Sequence, residues 1–152
     1  MLHDSCTIAS RSNAVTEFYV DEGAMPLTVE VATSNPIISL DENKVQAVLL
    51  DLIGQYAGEP QDRPIPIGQN LMSSWEEVQI SLMSMRHPGH QPELLFGDVG
   101  RVLKTLRAYI INCHVFTGAL SLKVLWKDEL LAWGTIGLFS DTSAGVIDTQ
   151  AA

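Results

Sequence analysis

The first part of the chain alternates between apolar and polar residues with the two-residue period of a β-strand. Val15–Val20 fits a short strand, and in Leu27–Val31 (LTVEV) apolar residues alternate with polar ones, as in a strand with one buried face. The connecting residues 21–26, DEGAMP, contain glycine and proline, which are typical of a hairpin connection. The pattern therefore predicts an N-terminal pair of strands.

The same period returns near the C-terminus. From Ala119 to Lys127, leucine, valine and tryptophan alternate with serine and lysine, which predicts another strand. The residues WKDE at 126–129 predict a turn, and Leu131–Phe139 then returns as a further strand. This last strand is apolar on both faces, so we expect it to lie centrally in a sheet or to be covered on both sides. Its second face would contact another copy of the chain or border an internal ligand pocket.

Between the two strand pairs the period changes to that of a helix. SLDE at 39–42 has the form of a capping box, and Gly58 and Pro60 supply stop signals. The pattern predicts a helix over about residues 40–57. Its apolar stripe consists of Val45, Val48, Leu49, Leu52, Ile53 and Tyr56.

A second helix is predicted to start at Ser73 or Ser74, because Glu76 and Glu77 complete a capping box in either case. It would end at residues 85–92, MRHPGHQP, where proline and glycine occupy the central positions of a type II turn. The two histidines there are closer in sequence than the histidine pairs of structural zinc sites, so we interpret the segment as a turn. The predicted apolar face of this helix consists of Trp75, Val78, Leu82 and Met85.

A third helix is predicted after Pro92. Gly97 and Gly100 each disfavour a helix interior by about 1 kcal/mol relative to alanine, so we expect the helix to begin after them. Its far end, YIINCHVF at 109–116, is rich in β-forming residues, which leaves open whether residues 98–118 are wholly helical. The apolar face consists of Val99, Val102, Leu103, Leu106, Ile110 and Cys113.

Strands at both ends of a chain with helices between them are typical of an α+β domain. We predict an antiparallel sheet of about four strands, two N-terminal and two C-terminal, with about three helices packed on one face. Residues 14–140 would form this single domain, flanked by a flexible arm at 1–13 and a flexible tail at 141–152.

The net charge of the chain limits the kinds of molecule that the protein is expected to bind. The chain has 152 residues, 46% of them hydrophobic, and its formal net charge of −9 opposes binding to nucleic acid or to an anionic membrane, so neither is expected as a partner. The longest apolar run is also too short to span a bilayer. Residues 101–127 differ from the rest because they carry five basic and no acidic side chains, which leaves a local anion site open.

The N-terminus lacks the apolar region of a signal peptide, so a cytoplasmic protein is expected, with a secreted form that has lost its leader as the alternative. Cys6 and Cys113 are too few for a disulfide scaffold. We expect both thiols to be reduced, although one bridge between them is formally possible.

The segment GDVGR at 97–101 could bind an anion, since glycines that open a helix expose backbone N–H groups. However, it matches neither of the glycine-rich nucleotide-binding motifs, and Asp98 would repel phosphate. We therefore favour a solvated basic helix face formed by Arg101, Lys104 and Arg107. No redox, nucleotide or metal motif occurs elsewhere, so no cofactor and no metal are expected.

His114 is the candidate catalytic residue. It lies at the edge of the third apolar face, near Tyr109, where a partly buried imidazole can act as general acid or base. Arg107 or Tyr109 would then stabilise an oxyanion or polarise a carbonyl group. The alternative is a histidine at the edge of the core that makes one structural hydrogen bond.

Aromatic side chains suggest an apolar ligand pocket between the sheet and the helices. We predict that Trp133, Trp126, Phe96 and His90 line it, although such aromatics are also typical of an ordinary core.

Two classes of function follow. The first is a small-molecule-binding protein for a hydrophobic ligand, which could extend to a cofactor-free isomerase, cyclase or lyase. The alternative is a non-catalytic interaction module, homodimeric through the apolar strand 131–139.

Overall fold

A computed structural model of the protein describes residues 10–12, 15–20, 26–35, 37–85, 93–113 and 118–138. The strands of this part of the chain form one antiparallel sheet in the order β1-β2-β3-β6-β7-β5-β4. The elements in chain order are β1 (Ser10–Ser12), β2 (Val15–Val20), β3 (Leu27–Asn35), α1 (Glu42–Tyr56), β4 (Asn70–Trp75), β5 (Val78–Ser84), α2 (Phe96–Cys113), β6 (Ala119–Trp126) and β7 (Glu129–Leu138).

The predicted α+β class is confirmed, and the core lies between the helices and one face of the sheet. Phe18, Val29 and Val124 stand opposite one another on β2, β3 and β6, and each is at most 2% exposed. Above this face α1 packs against β4 and β5, while α2 contacts α1 and β2. The other side of the sheet, here called the outer face, carries exposed or half-buried side chains that include Tyr19, Glu30, Met72, Lys123 and Trp133.

The first helix is confirmed within two residues at its start and one at its end, but its N-cap is Asp41 and not Ser39. The Asp41 carboxylate accepts hydrogen bonds from the backbone N–H groups of Asn43 at 2.8 Å and Lys44 at 3.3 Å. An aspartate in this position satisfies donors that the first helical turn leaves unpaired. The SLDE segment therefore contains the cap, two residues later than the capping-box pattern places it.

The predicted second helix is wrong, because residues 70–84 form the β4–β5 hairpin. Trp75 pairs with Val78, and the intervening residues Glu76 and Glu77 form a two-residue turn in which Glu76 has φ 54°. The glutamates are therefore turn residues and not partners in a capping box. The apolar residues of this segment follow a period of two: Leu71, Val78, Ile80 and Leu82 are all buried on the inner face.

The sheet is larger than predicted for two reasons. The hairpin replaces a helix, and Ser10–Ser12, within the segment predicted as an arm, forms β1 beside β2. The central position predicted for the last strand is confirmed, since β7 lies between β6 and β5. The predicted tail at 141–152 lies outside the described residues, and no described helix is long and apolar enough to cross a membrane.

The third helix begins earlier than predicted. It starts at Phe96 and includes both Gly97 and Gly100. A Cβ at position 97 would stand 3.0 Å from the carbonyl oxygen of Gln61, so the glycine allows a loop to approach the helix closely. The β-forming residues Tyr109–Cys113 are helical, which shows that packing overrides their local preference.

Lys44 connects the first turn of α1 to the β4–β5 turn. Its Nζ donates hydrogen bonds of 2.8 and 2.7 Å to the two carboxylate oxygens of Glu77 and lies 3.4 Å from a carboxylate oxygen of Glu76. The hydrogen bond from Lys44 lowers the pKa of Glu77 below its ordinary value of 4.5. The same hydrogen bond raises the pKa of Lys44 above 10.5.

These shifts predict how stability changes in acid. Because Glu77 has a lower pKa in the folded state, its contribution is complete above pH 4.5 and is lost as the pH falls through the folded pKa. We expect Glu77→Gln to lose stability at neutral pH and to show a shallower decline below pH 4.5, as measured by urea unfolding across a pH series. Glu17→Gln, on a strand remote from Lys44, is the control. An unchanged acid decline in Glu77→Gln would contradict the prediction.

Candidate functional site

An apolar groove lies between the C-terminal half of α1 and the N-terminal half of α2. It has a volume of about 160 Å³, is partly open to solvent, and is here called the interhelical groove. The residues that line it are Leu52, Ile53, Tyr56, Ala57, Gln61, Phe96, Val99, Gly100, Leu103 and Lys104.

The aromatic part of the interhelical groove is formed by one residue from each helix. The rings of Tyr56 and Phe96 stack with their centroids 5.6 Å apart and their planes 19° from parallel. Phe96 is 4% exposed, and Tyr56 is half-buried. Gly100 adds no side chain to the wall, and no heavy atom lies within 4 Å of the position that its Cβ would occupy. The helices are therefore separated here by a space that a small apolar molecule could fill.

The loop that follows α1 closes the N-terminal end of α2. The backbone N–H of Phe96 donates to the carbonyl of Arg63 at 3.0 Å, and that of Gly97 donates to the carbonyl of Gln61 at 2.9 Å. These are two of the donors that a helix N-terminus can offer to an anion. Because loop carbonyls occupy them, the GDVGR segment does not present these two donors as an anion site.

Asp98 stabilises the same helix start from within. Its carboxylate accepts a hydrogen bond of 2.9 Å from the backbone N–H of Leu95 and forms an ion pair with the guanidinium of Arg101. Asp98 is only 3% exposed. Asp98 therefore caps the start of α2, and its negative charge is paired with the positive charge of Arg101.

Lys104 and Arg107 lie on one side of α2, because residues three apart are neighbours on a helix surface. Lys104 is exposed at the rim of the interhelical groove, and Arg107 lies one turn further along. The Nε atom of Arg107 is buried and has no hydrogen-bond partner among the described residues. The two remaining basic residues of the 101–127 segment lie on β6 and on the β6–β7 turn, so the segment does not form one continuous patch.

Tyr109 points away from this basic side. It is 3% exposed and stacks on Phe18 of β2, with ring centroids 4.8 Å apart. Residues two apart on a helix differ by about 200° around its axis, so α2 separates Tyr109 from Arg107. Arg107 and Tyr109, the two alternatives predicted to assist His114, therefore lie on different sides of α2.

Three aromatic residues predicted to line a pocket occupy three different environments. Phe96 lines the interhelical groove, while Trp126 is partly buried against the core and has the Lys127 ammonium 4.7 Å from its ring centroid. Trp133 lies on the outer face and is 43% exposed. The inner face of the sheet is filled by packed core residues, so the groove is between the helices and not between helices and sheet.

Several predicted residues lie outside the described part of the chain. These are His90, with the rest of the HPGH turn, and His114; their predicted roles stay predictions. The side chain of Cys113 and all of Cys6 are likewise not described. In the part of the chain that the structure describes, no three histidine, cysteine, aspartate or glutamate side chains are grouped closely enough to hold a metal ion.

The sequence analysis predicted Phe96 as a pocket residue and a solvated basic face on α2, and it did not predict the α1 wall of the groove. The signal was present in the stripe of the first helix, which is wide enough to cover the core and still expose Ile53 and Tyr56 toward α2. The sequence alone does not show which helix packs beside which.

Comparison with known proteins finds no family model, no curated protein and no solved structure that matches the chain.

Proposed function

We propose that the protein binds a small, largely apolar carboxylic acid in the interhelical groove. The single observation that carries the proposal is an apolar cleft with a lysine at its rim. Apolar walls with a few polar groups that fix orientation are typical of small-molecule sites. The hydrophobic wall would hold the body of the ligand, and Lys104 would pair with its carboxylate.

The size of the interhelical groove limits the ligand. Its volume of about 160 Å³ is close to that of an engineered apolar cavity of about 150 Å³ that binds benzene. A single aromatic ring or a short aliphatic chain fits this space, and the stacked rings of Tyr56 and Phe96 offer an aromatic surface for it.

Two features favour an acid over a neutral ligand. Lys104 is exposed and lines the groove, so its ammonium, which has three donors, can pair with a carboxylate at the rim. Arg107 follows one turn along α2 with an unpaired Nε–H in the described structure.

If the protein is also an enzyme, its site needs a side chain that transfers protons, in addition to the groove that binds the ligand. His114 remains the candidate for that role, in an isomerase, cyclase or lyase that uses no cofactor. Loss of every turnover in His114→Ala, with ligand binding retained, would support it; unchanged turnover would contradict it.

Benzoate is the probe that tests binding. We expect Lys104→Gln to weaken benzoate binding roughly tenfold, the lower range for a hydrogen bond to a charged group, while binding of uncharged benzyl alcohol stays the same. Gly100→Leu should abolish binding of both, since its side chain would fill the groove. Chemical-shift changes at the amides of Phe96 and Gly100 during titration measure both effects.

Gly54→Leu is the matched control, because Gly54 is also a helical glycine with free space around it but does not line the groove. It should bind both probes as the natural chain does. If Gly100→Leu binds benzoate as tightly as Gly54→Leu, the groove is not the binding site.

A further inference from the structure

The two edges of the sheet differ in how well they are protected against pairing. At one edge β1 has three residues, and short edge strands limit association. At the other edge β4 has six residues (NLMSSW), with neither a charge nor a proline, and it pairs with β5 without a register shift. No described strand pairs with the free side of β4. Long, neutral, regular edges are those that accept another strand.

The β4–β5 turn identifies which backbone groups of β4 are free. Trp75 and Val78 flank a two-residue turn, so they form a hydrogen-bonded pair across the hairpin. Hydrogen-bonded and non-bonded pairs alternate along an antiparallel ladder. Leu71 and Ser73 therefore direct their backbone groups toward β5. The N–H and C=O groups of Asn70, Met72 and Ser74 point away from the sheet.

We propose that β4 pairs antiparallel with β4 of a second copy of this chain, with Met72 of one copy opposite Met72 of the other. In this register Asn70 of each copy stands opposite Ser74 of the other, and all three outward-facing residues form hydrogen-bonded pairs. Opposed residues also share a face, as an antiparallel sheet requires. The result is a continuous sheet across a twofold axis, with no charged β4 residue at the junction.

Helix α1 extends the proposed contact to a second layer. The hydroxyl of Ser73 donates a hydrogen bond to the carboxylate of Asp51, which fixes α1 above β4 at the edge. On the face of α1 turned away from the core, Leu50 is 49% exposed, and Gly54 has no heavy atom within 4 Å of its would-be Cβ. A twofold axis through Met72 would place the two α1 helices side by side on the same side of the joined sheet.

The area of this contact sets the expected strength of the dimer. Six residues of strand span about 20 Å, and a sheet with a helix layer is about 20 Å deep, which gives roughly 800 Å² in projection for both copies together. Accessible surface exceeds projected area, so the contact falls at the small end of specific interfaces. We therefore expect a dimer that forms and dissociates with concentration. This proposal does not depend on ligand binding in the interhelical groove.

Sedimentation equilibrium of the full chain, together with residue-resolved amide exchange, tests the proposal. Exchange of the Met72 and Ser74 amides should slow as the concentration rises, while the Leu71 and Ser73 amides are protected at every concentration. Ser74→Pro removes an outward-facing N–H without removing a bond to β5 and should weaken the dimer at least about tenfold. Met72→Lys should do the same, because it would place two like charges opposite each other.

Tyr19→Lys is the matched control for Met72→Lys, since Tyr19 is an exposed apolar residue on the outer face of β2, far from β4. It should dimerise as the natural chain does, and circular dichroism at low concentration should show all three variants folded. A chain that stays monomeric at roughly 1 mM overturns the proposal. So does a dimer that Tyr19→Lys dissociates, which would use the outer face, or protection of Met72 and Ser74 that appears only when an extended peptide is added to a monomer.

Discussion

Gly134→Ala is expected to destabilise the protein by about 3 kcal/mol or more, the upper range for overpacking a well-packed core. Gly134 lies in the middle of β7, opposite Leu122 on β6 and Leu82 on β5. A Cβ at this position would stand 2.3 Å from the carbonyl oxygen of Ser81 and 2.9 Å from Cδ1 of Leu82. The oxygen belongs to the backbone of a paired strand, so relief requires the two strands to move apart.

Urea unfolding measures this loss, and Gly54→Ala is the matched control. Gly54 lies in α1 with no atom near its would-be Cβ, so the same substitution should stabilise the protein by up to about 1 kcal/mol through helix propensity. Opposite signs for the two variants would confirm that the close strand contact, and not glycine flexibility, sets the requirement at position 134. A Gly134→Ala stability within about 0.5 kcal/mol of the natural chain would refute it.

Asp98→Ala should cost about 2–4 kcal/mol, because one carboxylate satisfies two groups at the buried start of α2. Its removal leaves the backbone N–H of Leu95 without its acceptor and the guanidinium of Arg101 without its counter-charge. An unpaired buried donor costs more than the hydrogen bond itself contributes.

Asp98→Asn separates the two parts of this loss. The amide oxygen of asparagine can still accept from Leu95, whereas the charge that pairs with Arg101 is gone. We expect Asp98→Asn to fall between the natural chain and Asp98→Ala in a urea unfolding series. Equal stability of Asp98→Ala and the natural chain would show that the cap is dispensable.

The successes of sequence reasoning lie where local signals agree with packing. The first helix combines a cap, a wide apolar stripe and stop signals, and its bounds and those of the strand Val15–Val20 were predicted closely, whereas the next strand continues four residues past its predicted end, to Asn35. The helix predicted to start at Ser73 or Ser74 was wrong because the sequence SSWEEV is compatible with both a capping box and a hairpin turn. What decides between them is pairing of β5 with β7, which puts Leu82 opposite Gly134 across some fifty residues of chain.

The interhelical groove could be predicted only in part for a related reason. Phe96 was predicted to line a pocket, whereas Lys104 was interpreted as part of a solvated helix face, and the facing wall of Leu52, Ile53 and Tyr56 comes from another helix. Sheet order determines that α1 lies over β4 and β5 while α2 lies beside it. No pattern of neighbouring residues in the sequence indicates the order of the strands in the sheet. The predicted histidines lie in segments that the structure does not describe, so their part of the site stays a prediction.

The place of β6 in the sheet has a consequence for the time course of folding. β6 joins the N-terminal strands to the rest of the sheet, and Thr28 pairs with Leu125, roughly a hundred residues later in the chain. Pairing over such a separation requires the closure of a long loop before any contact stabilises it, and chains with many such contacts fold slowly. During synthesis β2–β3 and β4–β5 can form as separate hairpins, each with two free edges. Only when β6 and β7 have left the ribosome can the two hairpins be joined into one sheet, so the central part of the sheet is the last to form.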